Sequence, residues 1–196
     1  KKCYEEKILA RIYSDIAEYD SNKILQNEWL NSRGAIPRFD RNTIEIRIID
    51  TQECPKADIA IAAAITETLK AMVDERWISL EKQMEWDENR LSDIFLETIK
   101  NGENAVIEDT GYLQCFGIKE KTCTAGNLWK NLIPEVMQEK NFFEFPESLK
   151  VILKEGTLST RILKSLDGDY NHENILKVYG KLAECLEKGE MFVPNQ

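Results

Sequence analysis

Hydrophobic positions change their period several times along the chain, and each change marks an element. Ile8, Leu9, Ile12, Tyr13 and Ile16 fall at helical spacing, which predicts a helix over 4–17 that stops at the turn-forming cluster Tyr19-Asp20-Ser21-Asn22. From Ala35 the period drops to two. Ala35–Phe39 reads as a short strand with Pro37 suited to an edge, Asp40-Arg41-Asn42 as its turn, and Thr43–Ile49 as a β-branched second strand. On that strand Ile44, Ile46 and Ile48 share one face, expected to bury against helices, while Thr43, Glu45 and Arg47 share the other. Pro55 is a suitable first residue for a helix over 56–73, rich in Ala and Ile. That helix is apolar around much of its circumference, so it is expected to be deeply buried, with its alanines lying close to a sheet.

The remainder reads as mainly helical. Leu91, Ile94, Phe95 and Ile99 predict a helix over 90–100 that stops at Asn101-Gly102. Residues 111–126 are loop-rich, with Tyr112, Leu113 and Phe116 expected to cover something apolar. Further helices are predicted over 127–139, bent near Pro134, and over 146–155, capped by Gly156. Two more follow over 158–165 and 171–187, the last ended by Gly189. The aromatic run Asn141–Pro146 is expected to be buried. The fold class is therefore α+β: a short antiparallel hairpin over 35–49 packed on helices, then a mostly helical C-terminal region. The expected division lies between residues 1–80 and 81–196.

Composition narrows the function classes. A net charge of −9 argues against a nonspecific grip on nucleic acid, which needs phosphate neutralisation. No apolar run reaches the roughly 18 residues that a bilayer crossing needs, and Lys1-Lys2 leads into the mixed-charge Tyr4-Glu5-Glu6-Lys7 rather than the apolar block of a signal peptide. The five cysteines are scattered without a CxxC pair, and the lone His172 has no nearby thiol, so a structural zinc site is disfavoured. Reduced thiols in a cytoplasm are the plain reading. Cys54 is expected to be packed rather than nucleophilic, His172 to face solvent or cap a helix, Trp77 and Trp86 to serve packing, and 81–89 to be a solvated helix face. A chain that opens on Lys fits both a trimmed protein and a piece of a longer one.

The hairpin carries the candidate chemistry. Arg38, Arg41 and Arg47 crowd around it with Asp40, Glu45, Asp50 and Glu53. Glu45 and Arg47, two residues apart, stand about 7 Å apart along one strand face. A solvated sheet face carries the same pattern, and a surface Glu–Arg pair contributes only about 0–1 kcal/mol. The same mixture also suits Mg·ATP chemistry, which needs hard oxygen ligands and fixed cations around phosphoryl oxygens.

Read as a whole, Trp29–Asp58 resembles the second half of the type 2 glutamate–cysteine ligase, or carboxylate–amine ligase, family. The shared order is an arginine-bearing hairpin, then Thr43-x-Glu45-x-Arg47-x-x-Asp50, then a helix of Ala and Ile. It is also similar to the order in glutamine synthetase. The match is dense over 29–65 and thinner towards Lys1 and beyond Trp77; Gly156–Leu163 has the look of the family with less specificity. The resemblance implies the C-terminal part of a glutamine synthetase-like catalytic domain. It implies that Glu45 coordinates Mg²⁺, that Arg47 contacts the transferred phosphoryl group or the carboxylate substrate, and that Arg38, with Arg41 beside it, faces ATP phosphates or an acyl-phosphate. Asp50, on the opposite parity from Glu45, is given a structural role at the strand end. The implied reaction forms an amide from a small-molecule carboxylate and an amine through an acyl-phosphate. Its active site would be incomplete without an N-terminal half, leaving this chain alone inactive. The competing reading is a non-catalytic binding or assembly module that retains the fold; homo-oligomerisation is left open.

Overall fold

The computed structural model describes residues 1–137 and 146–194. The chain forms two compact units, Lys1–Thr51 and Gln52–Gln196.

In the first unit, Lys2–Tyr4, a π-helical turn Glu5–Leu9 and Ala10–Asp15 follow one another without a break as helix α1. The helix was expected; its π-helical turn was not. After it, the buried Asp20 carboxylate accepts from the backbone N–H groups of Ile24 (2.7 Å) and Leu25 (2.9 Å), which fixes the turn. A 3₁₀ turn, Glu28–Leu30, precedes the hairpin. Strands β1 (Ala35–Arg38) and β2 (Thr43–Ile46) pair antiparallel with Ile36 opposite Glu45 and Arg38 opposite Thr43. Asn42, at φ 51°, closes the turn in the left-handed region that Asn tolerates. The second strand is shorter than expected, although the Arg47 N–H still donates to the Gly34 carbonyl at 2.8 Å.

The covered face of this hairpin is the reverse of the expected one. Ile44, Ile46 and Ile48 are exposed, whereas Ile36, on the face shared with Arg38, Glu45 and Arg47, is fully buried. Alternation separates the two faces but says nothing about which one receives a neighbour. Here α1 and the 3₁₀ turn lie over the charged face: Tyr4 meets Phe39 edge to face at 5.7 Å, and Arg47 reaches the backbone of Trp29 and Asn31.

The second unit is mostly helical. Helix α2 (Pro55–Val73) starts with proline at its first position, as its sequence predicts. Its buried face is Ala57, Ala60, Ala64, Glu67, Thr68 and Ala71, while Ile59, Leu69 and Val73 are exposed, so it is buried on one face and not all round. Helices α3 (Leu80–Met84) and α4 (Glu88–Asn101) follow. The two-residue strands β3 (Val106–Ile107) and β4 (Cys123–Thr124) pair antiparallel around α5 (Thr110–Gln114), and both escaped prediction. Helix α6 (Ala125–Met137) carries Pro134 inside it, and α7 spans Pro146–Glu155. Within this unit the α2 alanines pack against helices α6 and α7, not a sheet: Trp129, Ile133 and Met137 surround Ala60, Ala64 and Leu149. Helices α8 (Leu158–Leu166) and α9 (His172–Lys188) complete the order, and Val178, Leu166 and Phe192 form their core. The aromatic run over 141–145 lies outside the described residues.

Leu113 is fully buried, with Tyr112 and Phe116 packed on the same core, as expected. Cys54 is buried beside the Met191 sulfur, Trp77 packs on Phe116 and Trp86 on Tyr112, and His172 is exposed at the start of α9 behind the Asn171 cap. No helix among the described residues is long and apolar enough to cross a membrane.

Candidate functional site

The hairpin brings five of the predicted residues together. Glu45 bridges two arginines, its Oε2 accepting from Arg38 Nη1 at 2.7 Å and its Oε1 from Arg47 Nε at 2.8 Å. These two hydrogen bonds, Arg38 first and Arg47 second, hold the Glu45 carboxyl below the ordinary glutamate range. Arg47 is locked further, since its Nη1 donates to the Trp29 carbonyl at 3.0 Å and the Asn31 carbonyl at 2.7 Å. Asn31 is itself buried, and its side-chain oxygen accepts from the Arg33 N–H at 3.1 Å. The loop before the hairpin therefore aims Arg47 along the strand.

Arg38 is the centre of the cluster. Besides Glu45, it lies beside Glu28 and Asp40, each 3.4 Å from its Nε. That Nε is buried and makes no hydrogen bond. Arg41 is mostly exposed and pairs with Asp40 at 3.4 Å. A cleft of about 630 Å³ opens here, lined by Glu5, Leu9, Ala10 and Tyr13 of α1, by Glu28, and by Arg38 and Asp40 of the hairpin. Burial, and then the Glu28 charge, push the Tyr13 phenol above its usual range.

Two members of the expected constellation stand apart. Asp50 is exposed and lies beyond the end of β2. Glu53 belongs to the second unit, where its fully buried carboxylate is paired with the fully buried Arg161 guanidinium. It also accepts from the Phe192 N–H at 3.0 Å, while Arg161 donates to the carbonyls of Gly156 (3.2 Å) and Phe192 (2.7 Å). This ion pair is a tie within the second unit. The contributions of Glu28 and Tyr13 to the cleft were missed, because no spacing connects either of them to the hairpin.

The group balance sets what the cleft can hold. Three guanidiniums (Arg38, Arg41, Arg47) face the carboxylates of Glu5, Glu28, Asp40 and Glu45, so the cluster carries no excess of positive charge. Arg38 Nε makes no hydrogen bond of good geometry but lies between the Glu28 and Asp40 carboxylates, so an anionic oxygen of a phosphoryl or carboxylate group would bind there by displacing one of them. Magnesium fits less well. Both Glu45 oxygens are already engaged, and no three His, Cys, Asp or Glu side chains among the described residues are placed to hold a metal ion. These residues do not make a magnesium site by themselves.

The model of the family described as glutamate-cysteine ligase family 2 matches residues 9–180. An uncharacterized protein of Archaeoglobus fulgidus is 26% identical over 186 residues, covering 95% of this chain and 43% of that protein. The chain thus spans less than half the length of that relative. No solved structure matches the chain.

Proposed function

The chain belongs to glutamate-cysteine ligase family 2, and on that premise we propose that it is part of an ATP- and Mg²⁺-dependent carboxylate–amine ligase. ATP would supply the γ-phosphoryl group that activates the substrate carboxylate, after which an amine displaces phosphate to leave an amide. Arg38 binds an anionic oxygen of the reacting group through its Nε, in exchange for the Glu28 or Asp40 carboxylate now 3.4 Å away, and Arg41 adds positive charge beside it. Arg47, held by two backbone carbonyls, orients Glu45 and fixes the cationic edge of the site. Its rigidity serves catalysis because a preorganised donor needs no rearrangement as charge develops. Glu45 would ligate a metal only by releasing one of its two arginines, with the other ligands supplied from outside the described residues. The substrates proposed are a small carboxylate and a small amine, in the cytoplasm.

The observation that carries this reading is the Arg38–Glu45–Arg47 bridge on the hairpin that opens into the cleft. It is tested by isothermal titration of the complete encoded protein with Mg·ATP, wild type against Arg38→Ala. Binding that weakens about tenfold or more in the variant is expected, since a charge-assisted hydrogen bond is worth about 1.5–3 kcal/mol. The 196-residue chain alone is expected to release no ADP when glutamate and an amine are added.

The second reading, a binding or assembly module without catalysis, is favoured by one observation: Glu45 is saturated by arginines within a cluster whose carboxylates outnumber its guanidiniums. Absence of any nucleotide binding by the complete protein would decide for it.

A further inference from the structure

Asn31 is 1% exposed, and each of its polar groups has a partner. Its N–H donates to the Glu28 carbonyl at 3.1 Å, and its carbonyl accepts from Arg47 Nη1 at 2.7 Å. In the side chain, Oδ1 accepts from the Arg33 N–H at 3.1 Å and from Arg33 Nη1 at 3.2 Å, while Nδ2 donates to the Tyr4 hydroxyl. One buried residue thus joins α1, the 3₁₀ turn and the hairpin. A buried amide costs stability unless it is hydrogen-bonded, and a leucine of similar shape would fill the same space without that demand. A satisfied polar network instead fixes one arrangement of the groups it touches.

We propose that Asn31 is the positioning residue for Arg47, and that Tyr4 brings α1 into the site through it. The bond from the Arg33 N–H to Oδ1 closes an Asx turn over residues 31–33. That turn sets the direction of the peptide that follows Asn31, and so aims its carbonyl at Arg47. Arg33 presents two donors on one side and Tyr4 an acceptor on the other, which fixes the rotation of the amide. Arg47 then has Nη1 on the carbonyls of Trp29 and Asn31 and Nε on Glu45. Among the described residues, its Nη2 is the edge left to meet a ligand. What Arg47 acts on rests on the ligase reading; what holds Arg47 does not.

The Nε proton of Arg47 reports this in NMR spectra of the 196-residue chain, its signal identified by its loss in Arg47→Lys. Asn31→Leu keeps the volume and removes the amide. It should speed exchange of that proton with water about tenfold or more, the worth of one or two hydrogen bonds. Tyr4→Phe, which removes one hydroxyl from a half-buried ring, should act in the same direction to a smaller degree, and it serves if Asn31→Leu does not fold. Asn31→Asp should restore slow exchange, because its carboxylate still accepts from Arg33 and the Tyr4 hydroxyl can turn to donate. Ile36→Val weakens the core of the same hairpin without touching Arg47, and should leave the proton as it was. In the complete encoded protein, Asn31→Leu should lower kcat about tenfold with KM for ATP little changed, as loss of alignment does. Unchanged exchange in both Asn31→Leu and Tyr4→Phe overturns the proposal, as does equal acceleration by Ile36→Val or no recovery with Asn31→Asp. An active protein whose kcat ignores Asn31→Leu removes Asn31 from the reaction. A complete protein without turnover in the wild type counts against the ligase reading, and the exchange rates alone then decide whether Asn31 positions Arg47.

Discussion

Glu45 shows how one side chain can be legible in type and not in use. Strand alternation placed it beside Arg47, and the pair is there at 2.8 Å, but the link to Arg38 across the hairpin needs the register, which the sequence does not state. The consequence can be measured. Because its folded pKa is depressed, Glu45 stabilises the fold fully above its unfolded value of about 4.3, and that contribution is lost as pH falls through the lower folded value. Glu45→Gln should therefore flatten the loss of stability on the acid side, and urea midpoints at neutral and acid pH compare the two proteins. An equally steep acid limb in the variant contradicts the assignment. Glu53 is the opposite case. Its position three residues beyond Asp50 suggested membership of the hairpin cluster, yet its partner is 108 residues away. Arg161→Ala leaves a buried carboxylate unpaired and two backbone carbonyls without a donor, at an expected cost of about 3–5 kcal/mol. Joint replacement by Glu53→Leu and Arg161→Met should recover much of it, as measured by chemical denaturation.

At the scale of elements, boundaries were readable wherever chemistry stops a helix. Thr157 and Asn171 accept from the first-turn N–H groups of α8 and α9, and Gly189 ends α9 in the left-handed conformation that favours glycine. Faces were less readable. Helix α2 presents isoleucines and alanines around most of its surface, and composition cannot say which of them a neighbour will choose. The alanine face is the one that lets α6 and α7 approach closely, so it is buried and Ile59 is left outside. The two-residue strands β3 and β4 are too short to give any periodicity at all. The asymmetry of α2 predicts unequal mutational costs. Ala60→Leu forces three extra carbons into a closed contact and should destabilise by about 1–3 kcal/mol or more, whereas Ile59→Ala should change the urea midpoint little. Similar costs for the two would mean that the helix is packed on both faces.

For the whole molecule, the distribution of core residues divides the chain unequally. Among the described residues, the clusters of buried apolar side chains lie in residues 52–196, and the Glu53–Arg161–Phe192 tie joins the beginning, the α8 helix and the end of that same unit. Among residues 1–51, Leu9 and Ile36 are the buried apolar side chains. Two such residues cannot offset the conformational entropy of the rest of the unit, and domains of this size ordinarily need a disulfide, a metal or a partner surface. The cysteines among the described residues are all free thiols, so no disulfide supplies that support. Residues 52–196 expressed alone are thus expected to unfold in one cooperative transition that Arg161→Ala shifts strongly. Residues 1–51 alone are expected to show narrow amide proton dispersion and no cooperative melt. A dispersed spectrum from the 1–51 peptide would mean that the hairpin cluster is an autonomous structure. Collapse of 52–196 without the first 51 residues would mean that the larger unit depends on the smaller one. In the expected outcome, the Arg38–Glu45–Arg47 bridge sits in the least self-sufficient part of the chain. Its geometry then depends on what supports the hairpin, and the exposed row of Ile44, Ile46 and Ile48 is the surface through which such support would act.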